Sequence, residues 1–492
     1  MKYILKFIGL ILVFVLVFTS VACNKTSEAY IYFELPDTPS SLDPQVAESD
    51  SELLIVRNIF EGLMRKDQNG KIKCAAAKSY KKDGLSYTFK LRDDIIWSNG
   101  EKITAEDFCF ALKRAVNPET KAPFASRLFS IKNAEKINAG KLHPDHLGVS
   151  APDKKTVKIT LFREDKNFLE TLTTSVSMPC NEEFFYSSDG KYGVTADDLL
   201  YNGSYKMSRW RKETFGIRLY KNENYKGEFE AKNAAAFLTC QKDKDILELI
   251  EKENIDIAFV DSTLKNDIKN LNYNTKEFEN ICWVMTIGNE FSSDMRKAFS
   301  LLVGSNIYEK NLPIGYSVAT SVYPNAIDIS SLTSLNKAYD PEGAKSLYLK
   351  ELEKLPDKKF PQGIKLYYYD NESIKGVVTD IVGHFQSKLS AFVNIEAQNN
   401  LNLLTSQLSD NTYSFAIFPV KADSSFHKEY LQKFGVPDTD DLKIAEKEIL
   451  ENYTVLPIMF QNTTVANAKT LTEFSASQGN GYIDFAYIVK KE

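Results

Sequence analysis

Two of the four histidines stand close enough in sequence to act together, in the segment His143-Pro144-Asp145-His146. Two imidazole nitrogens and one carboxylate form a ligand set that a metal ion accepts. Pro144 predicts an exposed turn, however, and metal sites usually collect three or four ligands from packed elements. We therefore interpret this segment as a solvated loop, and the sequence predicts no metal site.

The motifs of the common catalytic and phosphate-binding sites are missing. Three Gly-Lys pairs, which begin at Gly70, Gly140 and Gly190, lack both the upstream glycine and the following Ser or Thr of a P-loop. G-x-S-x-G, H-E-x-x-H and the EF-hand loop are also absent. With 66 Asp and Glu residues, carboxylates fall near one another by chance, so no acid–base pair is assigned. The sequence predicts neither an enzyme nor a cofactor.

The cysteines are not arranged for a zinc site or a dense disulfide framework, because none lies at C-x-x-C spacing. Cysteines of this kind are mostly small buried hydrophobes. Apart from Cys23, they are Cys74, Cys109, Cys180, Cys240 and Cys282.

The N-terminal residues have the features of an export signal. Two early lysines precede an apolar run at residues 7–18, which is shorter than the ~20 residues of a membrane-spanning helix. Small residues then lead to Cys23, an arrangement similar to the bacterial lipobox, although Ser20 stands where a Leu-like residue is usual. We predict a lipoprotein-type signal peptide at residues 1–22 and an acylated Cys23, which would anchor the chain on the extracytoplasmic face of the cell membrane. An uncleaved signal anchor and plain secretion are the alternatives.

The composition excludes several classes of protein. The 492 residues are 43% hydrophobic and 26% charged, which excludes collagen, a disordered chain and a polytopic membrane protein. At ~100 to 200 residues per domain, the length predicts two or three domains. The net charge of -5, without a clustered surplus of Lys and Arg, argues against nucleic acid as a partner.

Hydrophobic periodicity predicts an α/β protein. Alternation near residues 30–35 indicates a strand, residues 51–63 have helical spacing, and Thr104 followed by two acids indicates a helix start. Further strands are predicted at 86–91, 156–161, 216–220, 281–287, 364–369 and 414–420, and further helices near 245–252, 293–302, 341–352, 374–390 and 442–452. No Pro-rich or Ser/Gly-rich linker separates these elements, so the domains are predicted to be interleaved.

Several motifs occur in the order known from one family. They are SLDP at 41–44, NIFEGL at 58–63, MRKDQNGKI at 64–72, DGLSYTFKLR at 83–92, WSNGEKITAED at 97–107, NGSYKM at 202–207, NENY at 222–225, DMRKA at 294–298, AEK at 445–447 and VLP at 455–457. Together they resemble the oligopeptide/dipeptide/nickel solute-binding proteins of ABC importers, over nearly the whole chain after Cys23. Within that family, KAPFAS at 121–126 and DHLGV at 145–149 are typical of the oligopeptide branch.

The resemblance implies a three-domain, periplasmic-binding-protein-like fold of type II, in which two lobes joined by a hinge enclose a ligand cleft. Domain II is expected at 61–181, and domain III at 282–462. Between residues 433 and 440 the chain runs almost directly into the last helix. Relatives carry a longer stretch at this point. The difference implies a shortened domain III with an altered or more open cavity. The expected segments of domain I are 24–60, 182–281 and 463–492.

The resemblance places Asp423 where peptide-binding members present an aspartate to the α-ammonium of the ligand. Pro419-Val420 replaces the usual Gly-Trp before it, and the Asp-Pro usually found after it is missing. Lys421, two residues away on a strand, would point to the same face and could neutralise Asp423 itself. An exposed aspartate in a polar loop is the other alternative.

Four further positions are carried over from the family. Glu48, Ser49 and Asp50 align with a segment whose main chain brackets the peptide, and the alternative is an ordinary acidic turn. Phe124 matches an aromatic residue that lines a side-chain pocket, and the alternative is a core phenylalanine.

Cys282 is predicted to keep its thiol. Some family members bridge this position to the residue before the Ala-Asp pair, and that residue is Lys421 here. The usual disulfide partner is therefore replaced.

The leading prediction is a lipid-anchored, monomeric receptor that captures oligopeptides and delivers them to an ABC permease and its ATPase. One alternative is a degenerate relative that acts as a signalling or interaction lipoprotein or binds a non-peptide solute. An exported hydrolase is a further alternative, which the missing motifs disfavour.

Overall fold

Two lobes share one continuous β-sheet. Lobe 1 surrounds the largest apolar core, which contains Phe33, Phe89 and Phe108. Lobe 2 surrounds two apolar cores on opposite faces of the sheet, which contain Phe299 and Phe418 respectively. The structure is a computed structural model that describes residues 27–211, 216–241, 245–253, 255–325, 327, 339–406, 408, 413–422, 426–435, 441–476 and 483–491.

The strands form one large sheet and three small ones. The eleven-stranded sheet has the order β15-β14-β16-β12-β17-β11-β1-β10-β9-β8, with β13 added beside β17. In lobe 1 a four-stranded sheet has the order β4-β5-β7-β6, and β2-β3 and β18-β19 form two-stranded pairs. The strands are β1 (Ser27–Glu34), β2 (Met64–Lys66), β3 (Ile72–Cys74), β4 (Ala77–Asp83), β5 (Ser86–Leu91), β6 (Val149–Asp153), β7 (Thr156–Thr160), β8 (Tyr205–Arg211), β9 (Gly216–Lys221), β10 (Asn233–Thr239), β11 (Ile257–Val260), β12 (Tyr273–Ile287), β13 (Tyr316–Val318), β14 (Lys365–Tyr369), β15 (Asn394–Gln398), β16 (Phe415–Lys421), β17 (Val455–Ala468), β18 (Leu471–Glu473) and β19 (Val489–Lys490).

Helices cover the sheets in both lobes. α1, α2 and α5 pack on the core of lobe 1, whereas α8, α9 and α10 cover one face of the sheet in lobe 2 and α11 to α13 cover the other. The helices are α1 (Asp50–Ile59), α2 (Ala105–Val116), α3 (Ala134–Asn138), α4 (Phe168–Thr171), α5 (Glu182–Ser187), α6 (Ile246–Glu253), α7 (Lys265–Asn270), α8 (Ser293–Ser300), α9 (Pro341–Leu352), α10 (Lys375–Leu389), α11 (Leu401–Thr405), α12 (His427–Gln432) and α13 (Leu442–Glu451).

The antiparallel pair β12 and β17 joins the two lobes. Near its start β12 contributes Phe278 to the core of lobe 1. Farther along, alternate residues face opposite sides of the sheet, so that Trp283 enters one core of lobe 2 and Val284 the other. The pairing shifts register between Glu279 and Ile281 and again between Trp283 and Val284. These irregularities lie where both strands pass from one lobe to the other.

Two helices begin with polar capping residues, of which the sequence predicted Thr104 but not Ser49. The backbone N–H of Thr104 donates to the carboxylate of Asp107 at 2.8 Å, which closes the start of α2. The backbone N–H of Ser49 likewise donates to Glu52 at 3.2 Å, and the Ser49 hydroxyl accepts from the Glu52 N–H at 3.3 Å. Both reciprocal pairs satisfy backbone donors that a helix start leaves without an intrahelical partner.

Two predicted elements have different lengths in the structure. The helix predicted at 51–63 ends at Ile59, because Phe60 is extended (φ -116°, ψ 159°). Phe60 and Leu63 are nevertheless buried in the core, which explains why the apolar pattern continued past the helix. The strand predicted at 281–287 begins eight residues earlier, at Tyr273. Its first half carries polar residues such as Lys276 at partly exposed positions, which weakened the apolar signal.

Asp484 holds the C-terminal segment 483–491 against lobe 1. Its carboxylate accepts hydrogen bonds from Arg65 at 2.7 to 3.1 Å and lies 3.7 Å from Nε of Arg57. Burial raises the pKa of Asp484, but the two arginines outweigh it, so the pKa lies below its ordinary value. A lowered folded-state pKa stabilises the protein above the unfolded-state pKa, and this contribution is lost as the pH falls through the folded-state pKa.

We predict that Asp484→Asn destabilises the protein by ~3–5 kcal/mol at neutral pH, because it leaves a buried guanidinium without its counter-charge. The matched control is Glu248→Gln, which removes an exposed carboxylate 2.7 Å from Lys252 and should cost at most ~0.5 kcal/mol. Urea unfolding followed by circular dichroism measures both variants. Equal unfolding midpoints for Asp484→Asn and the native protein would contradict this role.

Candidate functional site

An ion pair crosses the cleft between the lobes. Nζ of Lys421, at the end of β16 in lobe 2, lies 2.6 Å from both carboxylate oxygens of Asp50 in lobe 1. Asp50 is the first residue of α1, where the positive end of the helix dipole also favours a carboxylate. The two side chains keep 33% and 40% of their surface exposed, so solvent screens the pair and it holds the lobes together only weakly.

A second contact across the cleft surrounds Arg127 of lobe 1. Its guanidinium donates to the Glu429 carboxylate of lobe 2 at 2.7 to 2.8 Å. The same guanidinium lies 4.2 Å from the ring centre of Phe124 and 3.9 Å from that of Phe426. Arg127 therefore stacks between one ring of its own lobe and one ring of the other lobe.

The cavity beside these contacts has a volume of about 470 Å³. This size lies within the range of ~300–1,000 Å³ for small-ligand sites. Arg127 and Phe426 form part of its wall, together with Arg57, Thr174 and Lys276. Its lining also includes Asp67 and Asp484. It thus combines a ring with hydroxyl, cationic and anionic groups, which suits a ligand with both polar and apolar parts.

The edge of β16 is only partly paired. β12 pairs with β16 as far as Lys421, whereas β14 pairs only with residues 415–417. Beyond residue 417, no strand among the described residues lies along this second edge. The unpaired part of the edge ends at Lys421, which contacts lobe 1.

The hydrogen-bond pattern shows which backbone groups face that open edge. The N–H of Ala422 donates to the carbonyl of Asn280 on β12 at 2.8 Å. Because hydrogen-bonding direction alternates along an antiparallel strand, the N–H and C=O of Lys421 point to the opposite edge. Pro419 faces the same way, and because it has no N–H it adds only a carbonyl to this edge. One donor and two acceptors are thus presented to the cleft.

The segment at residues 48–50 is organised around Glu52. The carboxylate of Glu52 accepts the backbone N–H groups of Glu48 at 2.9 Å and Ser49 at 3.2 Å, and also the N–H and hydroxyl of Ser40 at 2.8 and 2.7 Å. Burial raises the pKa of Glu52, but these hydrogen bonds prevail and the pKa lies below its ordinary value. The N–H groups of Glu48 and Ser49 are therefore engaged within lobe 1.

The structure brings several of the predicted site residues together. Lys421 contacts Asp50, while Phe124 borders the cleft through Arg127. Asp423 and Cys23 lie outside the described residues, as do residues 1–22 and 436–440, so the predictions for them remain predictions. Sequence reasoning missed Arg127, Phe426 and Glu429. A cation three residues from Phe124 was the only available sign of this cluster, and it gave no hint of partners ~300 residues away.

The structure also locates the histidine-containing segment and Cys282. Nδ1 of His143 lies 3.2 Å from the carboxylate of Asp145, and both side chains are largely exposed. Within the described part of the chain, no group of three or more metal-ligating side chains is found. Cys282 is buried and forms no disulfide with any described cysteine, in agreement with its predicted thiol.

Two lobes joined by shared strands, with a ligand-sized cavity beside the cleft and an open strand edge that faces it, form the architecture of a protein that binds a ligand between lobes. A family model described as bacterial extracellular solute-binding proteins, family 5 middle, matches residues 71–442. This match spans more than half of the chain, so the protein belongs to that family, and the predicted resemblance is confirmed. The family consists of solute-binding proteins and not of enzymes, as the sequence predicted.

Curated relatives are similar over parts of the chain. A dipeptide-binding protein of Lactococcus lactis is 29% identical over 68% of this chain and 66% of its own length. The oligopeptide-binding protein OppA of Bacillus subtilis is 37% identical over 38% of this chain and 34% of its own length. These alignments thus cover about two thirds and one third of the relatives themselves.

Solved structures share the fold over almost the entire chain. OppA of Listeria monocytogenes, bound to peptide, has a TM-score of 0.79 at 20% identity and covers 95% of this chain and 99% of that one. The murein tripeptide-binding protein MppA of Escherichia coli has a TM-score of 0.77 at 20% identity, with 94% and 99% covered. These likenesses confirm the predicted two-lobe α/β fold. None of the described helices is both long and apolar enough to span a bilayer.

Glu52→Gln should destabilise the protein by ~1.5–3 kcal/mol, because an amide replaces a carboxylate that accepts several charge-assisted hydrogen bonds. Since the folded-state pKa is lowered, the native protein should lose this stabilisation as the pH falls through that value, whereas the variant should not. Glu48→Gln, at an exposed position four residues away, is the matched control. Urea unfolding at neutral and acidic pH measures the effect. An equal loss of unfolding free energy in Glu48→Gln and Glu52→Gln would contradict the role assigned to Glu52.

Arg127→Gln should open the ligand-free protein, because it removes both the ion pair to Glu429 and the stack on Phe426. Small-angle X-ray scattering should then give a larger radius of gyration while the circular dichroism spectrum stays native. The matched control is Arg163→Gln, which removes a guanidinium 5.1 Å from Phe162 of the same lobe. An unchanged radius in Arg127→Gln would show that these contacts do not set the distance between the lobes.

Proposed function

We propose that this protein is the lipid-anchored receptor of an ABC importer, which captures oligopeptides outside the cytoplasm and delivers them to the permease and its ATPase. Its family and the names of its curated relatives support the proposal. The observation that carries it is the open edge of β16 inside the cleft. An extended peptide matches that edge in geometry and in hydrogen bonding.

The proposed binding mode adds the peptide to the sheet as a further strand. The N–H of Lys421 donates to the peptide, and the carbonyls of Lys421 and Pro419 accept from it. These bonds involve only main-chain groups, so they form with any peptide sequence. The cavity of about 470 Å³ receives part of the ligand. Phe124 stacks on Arg127, which lines this cavity, and so lies beside the space for a ligand side chain.

Charges at the end of β16 define the proposed site for the peptide N-terminus. We assign Asp423 to the α-ammonium of the ligand. The contact of Lys421 with Asp50 supports this assignment, because Lys421 already has a carboxylate partner in the other lobe. Glu48 and Ser49 flank the site, with their N–H groups held by Glu52.

The domain division and the anchoring also belong to the proposal. Domain II at residues 61–181 contains the whole four-stranded sheet of β4 to β7, which supports that boundary. Domain I (24–60, 182–281 and 463–492) and domain III (282–462) meet along β12 and β17. Acylated Cys23 holds a monomer on the extracytoplasmic face of the membrane, which agrees with the extracellular family description.

A second candidate function is a signalling or interaction lipoprotein that has lost peptide import, or a receptor for a non-peptide solute. Pro419 favours it, because the site edge presents one N–H fewer than any other residue would provide. The ion pairs that already join the lobes favour it as well, since they bridge the cleft without a ligand.

Isothermal titration of the protein with a mixed tri- to pentapeptide library tests the proposal. Free peptides should bind saturably and remain intact. N-acetylation of the peptide should weaken binding by ~2–5 kcal/mol, because it removes the proposed charge pair between the ligand ammonium and the carboxylate of Asp423. Asp423→Asn should weaken binding of free peptides by a similar amount, and acetylation should then have little further effect.

The matched control for this titration is Asp370→Asn, at an exposed aspartate of lobe 2, which should bind like the native protein. No binding by any peptide would favour the second candidate function. Equal binding of free and acetylated peptides would show that Asp423 does not meet the ammonium group. Peptide cleavage would contradict the assignment to a receptor.

A further inference from the structure

The outer face of the sheet in lobe 1 carries two rows of aligned side chains. In the first row, Tyr30 of β1 lies beside Ala235 of β10, which lies beside Tyr220 of β9 and then Lys206 of β8. The second row contains, in the same strand order, Tyr32, Phe237, Arg218 and Arg209. Both rows therefore change from tyrosine at one side to a cation at the other. We call Tyr30, Tyr32, Lys206, Arg209, Arg218, Tyr220 and Phe237 the basic-aromatic face.

The rings of the basic-aromatic face contact one another, with Tyr30 and Tyr32 exposed and Tyr220 and Phe237 half-buried. The ring centre of Phe237 lies 5.4 Å from those of Tyr30 and Tyr32 and 6.3 Å from that of Tyr220. Tyr30 and Tyr32 are 45% and 37% exposed, although the residue between them is fully buried in the core. Stacked aromatic side chains on the solvent side of a sheet are an exposed apolar patch, which marks an interaction surface.

The cations of this face are not neutralised by carboxylates in the described part of the chain. Lys206, Arg209 and Arg218 are exposed and form no ion pair with a described residue. Two carboxylates at or next to β1, those of Asp256 and Glu34, are buried and engaged. Asp256 contacts Lys490 at 2.8 Å, and Glu34 accepts from the Thr239 hydroxyl at 2.5 Å. The face is thus locally basic on a protein of net charge -5.

A short stretch of chain connects this face to the proposed lipidation site. β1 begins at Ser27, four residues after Cys23, and such a link spans at most ~14 Å. A lipid on Cys23 would therefore hold Tyr30 and Tyr32 close to the bilayer surface. Tyrosines favour the headgroup region of a membrane, and lysines and arginines are attracted to anionic lipids.

We propose that the basic-aromatic face docks on the surface of an anionic lipid bilayer. The tyrosines enter the headgroup region, and the cations of β8 and β9 lie over the lipid phosphates. Docking fixes the orientation of lobe 1 on the membrane. The orientation of lobe 1 depends on the lipid anchor, which is part of the proposed function. The affinity for anionic lipid does not depend on that anchor, because the side chains of the folded protein supply it.

The test uses residues 24–492 without lipid, which contain every described element, and vesicles of phosphatidylcholine with or without 30% phosphatidylglycerol. Co-sedimentation should show binding to the anionic vesicles only, and binding should weaken as salt is added. The triple variant Lys206→Gln, Arg209→Gln, Arg218→Gln should bind about 100-fold more weakly. Tyr30→Ser with Tyr32→Ser should also weaken binding.

A matched triple variant distinguishes the effect of the basic-aromatic face on vesicle binding from the effect of net charge. Lys136→Gln, Lys141→Gln and Lys158→Gln change the charge equally at exposed positions elsewhere on lobe 1, and should bind like the native protein. Equal loss in both triple variants, or equal binding to neutral and anionic vesicles, would overturn the proposal. Peptide titration of the same variants keeps the two proposals apart, since the basic-aromatic face lies outside the cleft and its variants should bind peptide normally.

Discussion

The pairing of β12 with β17 is the constraint on which the molecule depends. The two strands supply side chains to the core of lobe 1 and to both cores of lobe 2, so the packing of both lobes includes them. The register shifts lie at the passage between the lobes. Such irregularities bend a strand and increase its twist, so they change the direction of the strands between the lobes. The cleft is therefore a direct consequence of this one strand pair.

The charged contacts fall into two groups according to their burial. Within lobe 1, Arg65 and Asp484 keep only 6% and 7% of their side chains exposed, and breaking such a pair leaves a buried charge. Across the cleft, Lys421 and Asp50 keep 33% and 40% exposed, and water replaces their contact at small cost. The same type of ion pair therefore stabilises the interior of a lobe strongly where it is buried, but joins the two lobes only weakly where it is exposed.

The sequence was most informative where local signals and the apolar pattern agreed. Thr104 and Asp107 predicted the start of α2, because a helix cap depends on residues three apart. The full length of β12 was missed, since its first half is partly exposed and its partner β17 is almost 200 residues away. Arg127 illustrates the same limit within the candidate site. Its partners Phe426 and Glu429 approach it only after both lobes have folded.

The central claim is that a peptide extends the sheet at the open edge of β16. Hydrogen–deuterium exchange resolved to single backbone amides tests it most directly. On addition of a saturating peptide, the amide of Lys421 should become protected, whereas that of Val420, which faces β12, should change little. Saturable binding that leaves the exchange of the Lys421 amide unchanged would contradict this account.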